Sequence, residues 1–320
     1  MGQEDAADRD GIAGQPVEAA VDYITATRDE DPQEVRAVLD RIAEDGAVSW
    51  AALDAELADA SKIVSTPETR TELAAIALSD AREAAAAVAD LDIVQSRLQT
   101  FESRLESIQA AVEDLGSDLQ QLVQRVDAED DLYLAARELT ELIARANQLQ
   151  RSADELSVDL EEFEEWLERP EHRFDELEAD VDALAASLDE LRTELEDFEN
   201  PSCSASPSAT SDSALAWVES FLHHRTLSLF LADLRTELVD LRTWSVQEGL
   251  DTERPDAIEE RIEDLADQWA TIESDLEAIA PATWQSEHAE RLAKFERVLD
   301  DFSPPIDWNA VYAELDAHRP

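Results

Sequence analysis

The chain is short of nearly every residue that turns, cross-links or binds polyanions. Lys62 and Lys294 are the only lysines among 25 basic residues, and no basic stripe occurs anywhere. A phosphate backbone needs a cationic face, so this argues against nucleic-acid binding. A single cysteine, Cys203, excludes an intramolecular disulfide framework and a cysteine-based zinc site. Six glycines and eleven prolines in 320 residues disfavour a turn-rich all-β fold and leave room for long helices. No run approaches the ~18 apolar residues of a membrane span. The most apolar stretch, 215–232, carries Glu219, His223, His224 and Arg225. The opening MGQEDAADRDGIAGQP has no basic region followed by an apolar one, so no secretory signal is expected, and a cytoplasmic location is. Ala6 stands where a myristoylation motif wants Ser or Thr.

What the chain has in excess is negative charge. It holds 78 Asp and Glu, a formal net charge of -53, and 44% hydrophobic residues, enough for real cores. The acids are spread along the whole chain rather than gathered in one tail. Molar salt shortens the Debye length to about 3 Å and would screen their repulsion. Acid in excess, with arginine doing the remaining basic work, points to adaptation to high salt. The rival reading is an acidic protein made for a basic partner.

Apolar spacing organises the chain. Residues 1–16 read as a disordered leader and 17–64 as a small three-helix domain. Its first helix carries Val17, Val21 and Ile24. The second opens at Asp31-Pro32 and stops at Asp45-Gly46. The third is capped by Ser49 and carries Leu53 and Leu57. A new helix is expected from the Thr66 cap and Pro67, running unbroken to Val126. Leu91, Val94, Leu98, Phe101, Leu105, Ile108, Val112, Leu115, Leu119 and Leu122 recur at 3–4 spacing, and the phase continues weakly back through Ala87, Ala84, Ala77 and Leu73. After the polar break 127–131 a second run follows in one phase, Ala135 to Leu167 and Phe174 to Phe198, read as one helix 132–198 kinked at Pro170. The alternative at Pro170 is a full chain reversal.

A short loop makes the two runs antiparallel neighbours. In the register that centres on the break, Leu98 faces Phe163, Phe101 faces Leu160, Leu105 faces Leu156 and Leu119 faces Leu142. Thr66 then falls opposite Leu195, an arm of roughly 90 Å at 1.5 Å per residue. Ile143 and Trp166 lie beside this seam and widen the apolar face, which suits a third helix from this chain or a second one. Residues 200–213 read as a Ser/Pro/Ala linker. Five of the seven tryptophans follow it. Helices 213–248 and 255–279 pair as Leu234 with Trp269 and Leu238 with Leu265, putting His224 opposite Ile279. Helix 283–302 and a short helix capped by Asp307 complete a C-terminal bundle. The expected fold class is thus all-α: a small helical domain (17–64), a long antiparallel coiled-coil hairpin (65–199) and a helical bundle (214–320).

Chemistry is hard to find. No P-loop, GxGxxG, GxSxG or HExxH occurs, and no Glu-x-x-His. Glu168/His172, Glu219/His223 and Glu314/His318 are i,i+4 pairs of the kind an acidic helical chain produces by chance. Cys203 reads as an ordinary thiol, with nothing nearby to lower its pKa. No catalytic residue, metal ligand or cofactor is expected.

Three stretches carry a resemblance: SKIVSTPETRTELAAIALSDAR (61–82), DDLY (130–133) and PPIDWNAVYAELDAHRP (304–320). They resemble a haloarchaeal coiled-coil family often labelled "halo transducer protein". The label implies likeness to methyl-accepting taxis transducers. This sequence departs from those in lacking membrane spans, a glutamine- and asparagine-rich hairpin tip and clear paired-glutamate methylation sites. The function expected is that of a non-enzymatic scaffold or self-association protein, binding other proteins or its own copies. The alternatives are a cytoplasmic signalling adaptor, as the resemblance implies, and a DNA-associated regulator acting through 17–61.

Overall fold

The computed structural model describes residues 11–127, 131–199 and 207–320. The leader up to residue 10, the tip residues 128–130 and linker residues 200–206, Cys203 among them, lie outside the described residues. The fold is all-α, with ten α-helices and one two-stranded hairpin among the described residues. In chain order these are α1 (Val17–Thr27), α2 (Pro32–Arg41), β1 (Ala43–Glu44), β2 (Ala47–Val48), α3 (Trp50–Ala84), α4 (Asp92–Asp127), α5 (Leu132–Glu168), α6 (Pro170–Glu199), α7 (Pro207–Glu248), α8 (Glu253–Ile279), α9 (Ala282–Leu299) and α10 (Trp308–His318). They divide into two compact units. One holds Met1–Ala84 and Leu98–Glu164, the other Ala85–Arg97 and Glu165–Pro320.

In the first unit the local signals act as expected at α1, α2 and the start of α3. The Asp31 carboxylate accepts from the backbone of Gln33 and Glu34 ahead of Pro32, and the Ser49 hydroxyl accepts from Ala52. Asp45-Gly46 does not end α2 as expected, since that helix stops at Arg41. Both residues have positive φ, and they turn the hairpin in which Ala43 pairs with Val48. Residues 11–16, expected in the leader, join this unit instead: Ile12 is buried, Gly14 donates to the Val48 carbonyl, and Pro16 bridges Ala47.

α3 corrects the expected start at Thr66. Pro67 lies inside this helix, and the Thr66 hydroxyl donates to the Lys62 carbonyl instead of capping anything. Val64, Pro67, Thr71 and Ala74 are buried along one face, and that burial offsets the lost backbone bond. The expected unbroken helix to Val126 is interrupted: α3 ends at Ala84, a 3-10 turn covers Ala85–Ala87, and α4 begins at Asp92. The weak seam through Leu73, Ala77, Ala84 and Ala87 is also corrected. Leu73 is 49% exposed, while Thr71, Ala74, Leu78, Ala81 and Ala85 are buried.

α3 is therefore a third helix of this unit. It lies beside α4 through Arg82–Glu102 and beside α5 through Arg70–Asp154 at 3.4 Å. Ile143, at the widened flank of the seam, shares a core with Leu57, Ala60 and Val64 of α3, together with Val35, Leu39, Leu122 and Leu139.

In the second unit α6, α7 and α8 pack side by side, with α9 and α10 against α7. Across Pro170 the backbone ladder holds: Arg169 donates to the Glu165 carbonyl and Arg173 to the Arg169 carbonyl. The chain therefore does not reverse there. Pro170→Ala is expected to raise stability by about 1 kcal/mol or more. The regained bond and relieved clash outweigh the ~0.4–1 kcal/mol of added freedom in the unfolded chain. Denaturant unfolding in molar KCl measures it, and a loss of stability would mean that the ring itself is needed.

Residues 207–213, expected in the linker, form the first turns of α7. The α7–α8 register differs from the one expected. Trp269 meets His224, not Leu234, and Arg225, Arg235 and Arg242 pair with Glu273, Glu263 and Glu259. An apolar repeat is blind to a shift of seven. The deciding contact is reciprocal: the Trp269 ring N–H donates to the His224 carbonyl, and His224 Nε2 to the Trp269 carbonyl, both at 3.0 Å.

Candidate functional site

Three of the histidines, His223, His224 and His318, lie within the packing of the second unit. His224 is fully buried, its ring stacked on Trp269 at 4.5 Å. Burial lowers its pKa, so the ring is neutral, and its bond to the Trp269 carbonyl fixes the proton on Nε2. Burial lowers that of His223 as well. His318 sits under Phe295 and donates from Nδ1 to the Glu314 carbonyl. No group of three or more His, Cys, Asp or Glu side chains among the described residues could hold a metal ion. No helix is long and apolar enough to cross a membrane among the described residues.

Of the eight seam residues, Leu105, Leu119, Leu142, Leu156, Leu160 and Phe163 are buried, and Leu98 and Phe101 are partly so. The Phe101 and Phe163 rings lie 5.5 Å apart. Arg104 pairs with Asp159, Asp118 with Arg145, and Arg125 with Glu138. Steps of 14 and 7 residues forward on α4 match the same steps backward on α5. Each is an exposed pair worth up to about 1 kcal/mol, so together they fix register more than stability.

A groove of about 410 Å³ between α4 and α5 is lined by Arg125, Arg137 and Arg145. Glu138 holds the first, Glu30 and Glu141 the second, and Asp118 the third. In the segment 17–61, Arg36 is bound by Glu18 and Arg41 by Glu56. These guanidiniums are already engaged by carboxylates, which works against a phosphate-binding role.

The densest polar chemistry is in the second unit and was not anticipated. Arg173 is 2% exposed, lies 3.6 Å above the Trp244 ring and pairs with Glu248 at 2.7 Å. Trp244 meets Trp166 edge to face at 5.4 Å, and Arg97 covers Trp166 at 4.3 Å. Trp166, at the seam's other flank, is thus covered by α7 and the first turns of α4. The Arg97 guanidinium reaches Glu176 at 2.9 Å and Glu237 at 3.9 Å. Asp240 accepts from the Ile93 backbone at 2.9 Å, capping α4 from another helix. Asp233 accepts from the Ile306 backbone and the Trp308 ring N–H, tying down the chain ahead of α10.

Burial raises the pKa of Asp180, Asp233, Asp240 and Glu237, the last to about 8. The sequence signal was present but faint: Glu237 interrupts the apolar arc of Leu234, Leu238 and Leu241.

Comparison with protein-family models, curated proteins and solved structures finds no match to the chain.

Proposed function

We propose that the protein is a non-enzymatic helical scaffold for a high-salt cytoplasm, in which α4 and α5 form an antiparallel coiled-coil hairpin that presents partners at a fixed spacing. The observation that carries this is the set of heptad-spaced ion pairs from Arg104–Asp159 to Arg125–Glu138 above a buried leucine seam. The three pairs share one register, which is what a spacer needs. The histidine environments support the same reading, since each buried ring is locked in packing rather than aimed at a substrate.

Affinity capture of the tagged chain from a lysate kept in molar KCl tests it, combined with sedimentation of the pure protein. The expected result is either a stoichiometric protein partner or a defined oligomer. A monomer that captures only background would overturn the scaffold reading. A signalling adaptor is a narrower form of the same proposal, and the captured partner would then be a taxis or kinase component.

A further inference from the structure

The cluster around Glu237 carries an inference independent of any scaffold role. We propose that Glu176, Asp180, Asp233 and Glu237, gathered around Arg97, form a proton-operated clasp that holds segment 85–97 in the second unit when protonated and loosens it when ionised.

The geometry sets the conditions. Glu176 and Asp180 come from α6, Asp233 and Glu237 from α7, and Arg97 from α4. Among the described residues Arg97 is the cation that acts on Glu237. It is closer to Glu176, 2.9 Å against 3.9 Å. From the chain ahead of α10, the Ile306 N–H and the Trp308 ring N–H both go to Asp233. α8 faces α7 through Arg235–Glu263 and Arg242–Glu259, pairs that leave Glu237 out. Arg173 is committed to Glu248 and Trp244. The Oε1 atom of Glu237 is shut off from water and accepts no hydrogen bond among the described residues.

Glu176 stays 41% exposed beside Arg97 and Asp233 accepts two N–H donors, so the poorly balanced carboxylate is that of the more deeply buried Glu237, and a proton is its cheapest neutraliser. Burial accordingly moves Glu237 up to about 8, and neighbouring Glu176, Asp180 and Asp233 add to the rise against the opposing pull of Arg97. The sign follows from a native pKa above the unfolded one. The native state binds the extra proton, so this group's contribution falls as pH rises from about 4.5 to about 8 and is constant above. The cost falls on the clasp because Arg97 and Ile93, which the cluster and Asp240 hold, both belong to segment 85–97.

Two measurements on the full chain in molar KCl test this. Difference infrared spectroscopy should show a protonated carboxyl at pH 7 that disappears between pH 7 and 9 and is missing from Glu237→Gln. Hydrogen exchange, corrected for intrinsic rate, should show protection of 85–97 falling about tenfold or more between pH 6.5 and 9 in the native chain. It should stay level in Glu237→Gln, which mimics the protonated acid. No such carboxyl at pH 7, a carboxyl that survives in Glu237→Gln, or pH-independent protection would each overturn the proposal. Should Glu237→Gln not fold, Asp180→Asn keeps the test open: with one charge fewer nearby, the infrared midpoint must move down, and an unmoved midpoint overturns it.

Discussion

Dialysed from molar KCl into dilute buffer, the chain is expected to lose helicity and to recover it when salt returns. Salt screens the chain's repulsions and attractions unequally in sum. Two exposed charges 10 Å apart interact by ~0.4 kcal/mol in water. A Debye length of about 8 Å at physiological salt leaves roughly a third of that, and about 3 Å at 1 M leaves roughly a twentieth. Screening weakens attractive and repulsive pairs alike, but 78 acidic residues face only 25 basic ones. Most cross-helix arginines are already used in pairs such as Arg70–Asp154, Arg104–Asp159 and Arg261–Asp182, so the excess acids repel without compensation. With 53 surplus charges the unscreened cost is on the order of ten kcal/mol, as large as the whole stability of an ordinary domain. Circular dichroism and melting temperature against KCl concentration measure the effect. A melting temperature flat from 0.1 to 3 M, taken as about the accessible range, would show that the acids serve something other than salt adaptation.

The same sequence was legible in some places and opaque in others, for physical reasons. Caps are local, so Asp31-Pro32, Ser49 and Asp307 announced α2, α3 and α10, and each side chain accepts the backbone bonds its type implies. Proline is ambiguous by itself. Thr66-Pro67 has the composition of a helix start, yet it lies mid-helix, because the packing of Val64, Thr71 and Ala74 outweighs one missing bond. The break at 85–91 could not be read, since alanine is the best helix former and four stand in a row from Ala84. The chain leaves the helix there because Ala85, Val88, Leu91, Ile93 and Val94 are all buried, and because Asp240, far along the sequence, supplies the new helix with its cap.

Periodicity identified the buried seam residues from Leu105 to Phe163 but left the α7–α8 register open, which Trp269 and His224 settle with polar atoms. The carboxylate cluster was hidden for a similar reason. Its members lie on α6 and α7 and meet Arg97 only through tertiary packing. Each alone looks like one more acid on an acidic chain.

Leu156→Asp is expected to cost the first unit ~3–5 kcal/mol, a large part of its stability. Leu156 is fully buried. Its neighbours on α5 show why: Asp154 pairs toward α3 through Arg70, and Asp159 pairs toward α4 through Arg104, so Leu156 lies on the arc between two covering helices. An aspartate there must either ionise without a partner or take up a proton and leave a hydroxyl unsatisfied, and either course forfeits the leucine's packing as well. Leu156→Met keeps volume and polarity and should cost under about 1.5 kcal/mol. Asp159→Ala removes one exposed pair and should cost no more than about 1 kcal/mol. Denaturant unfolding of all three variants in molar KCl separates these cases. If Leu156→Asp proved no worse than Asp159→Ala, the seam would not be the core of this unit, and the register drawn from its ion pairs would lose its apolar counterpart.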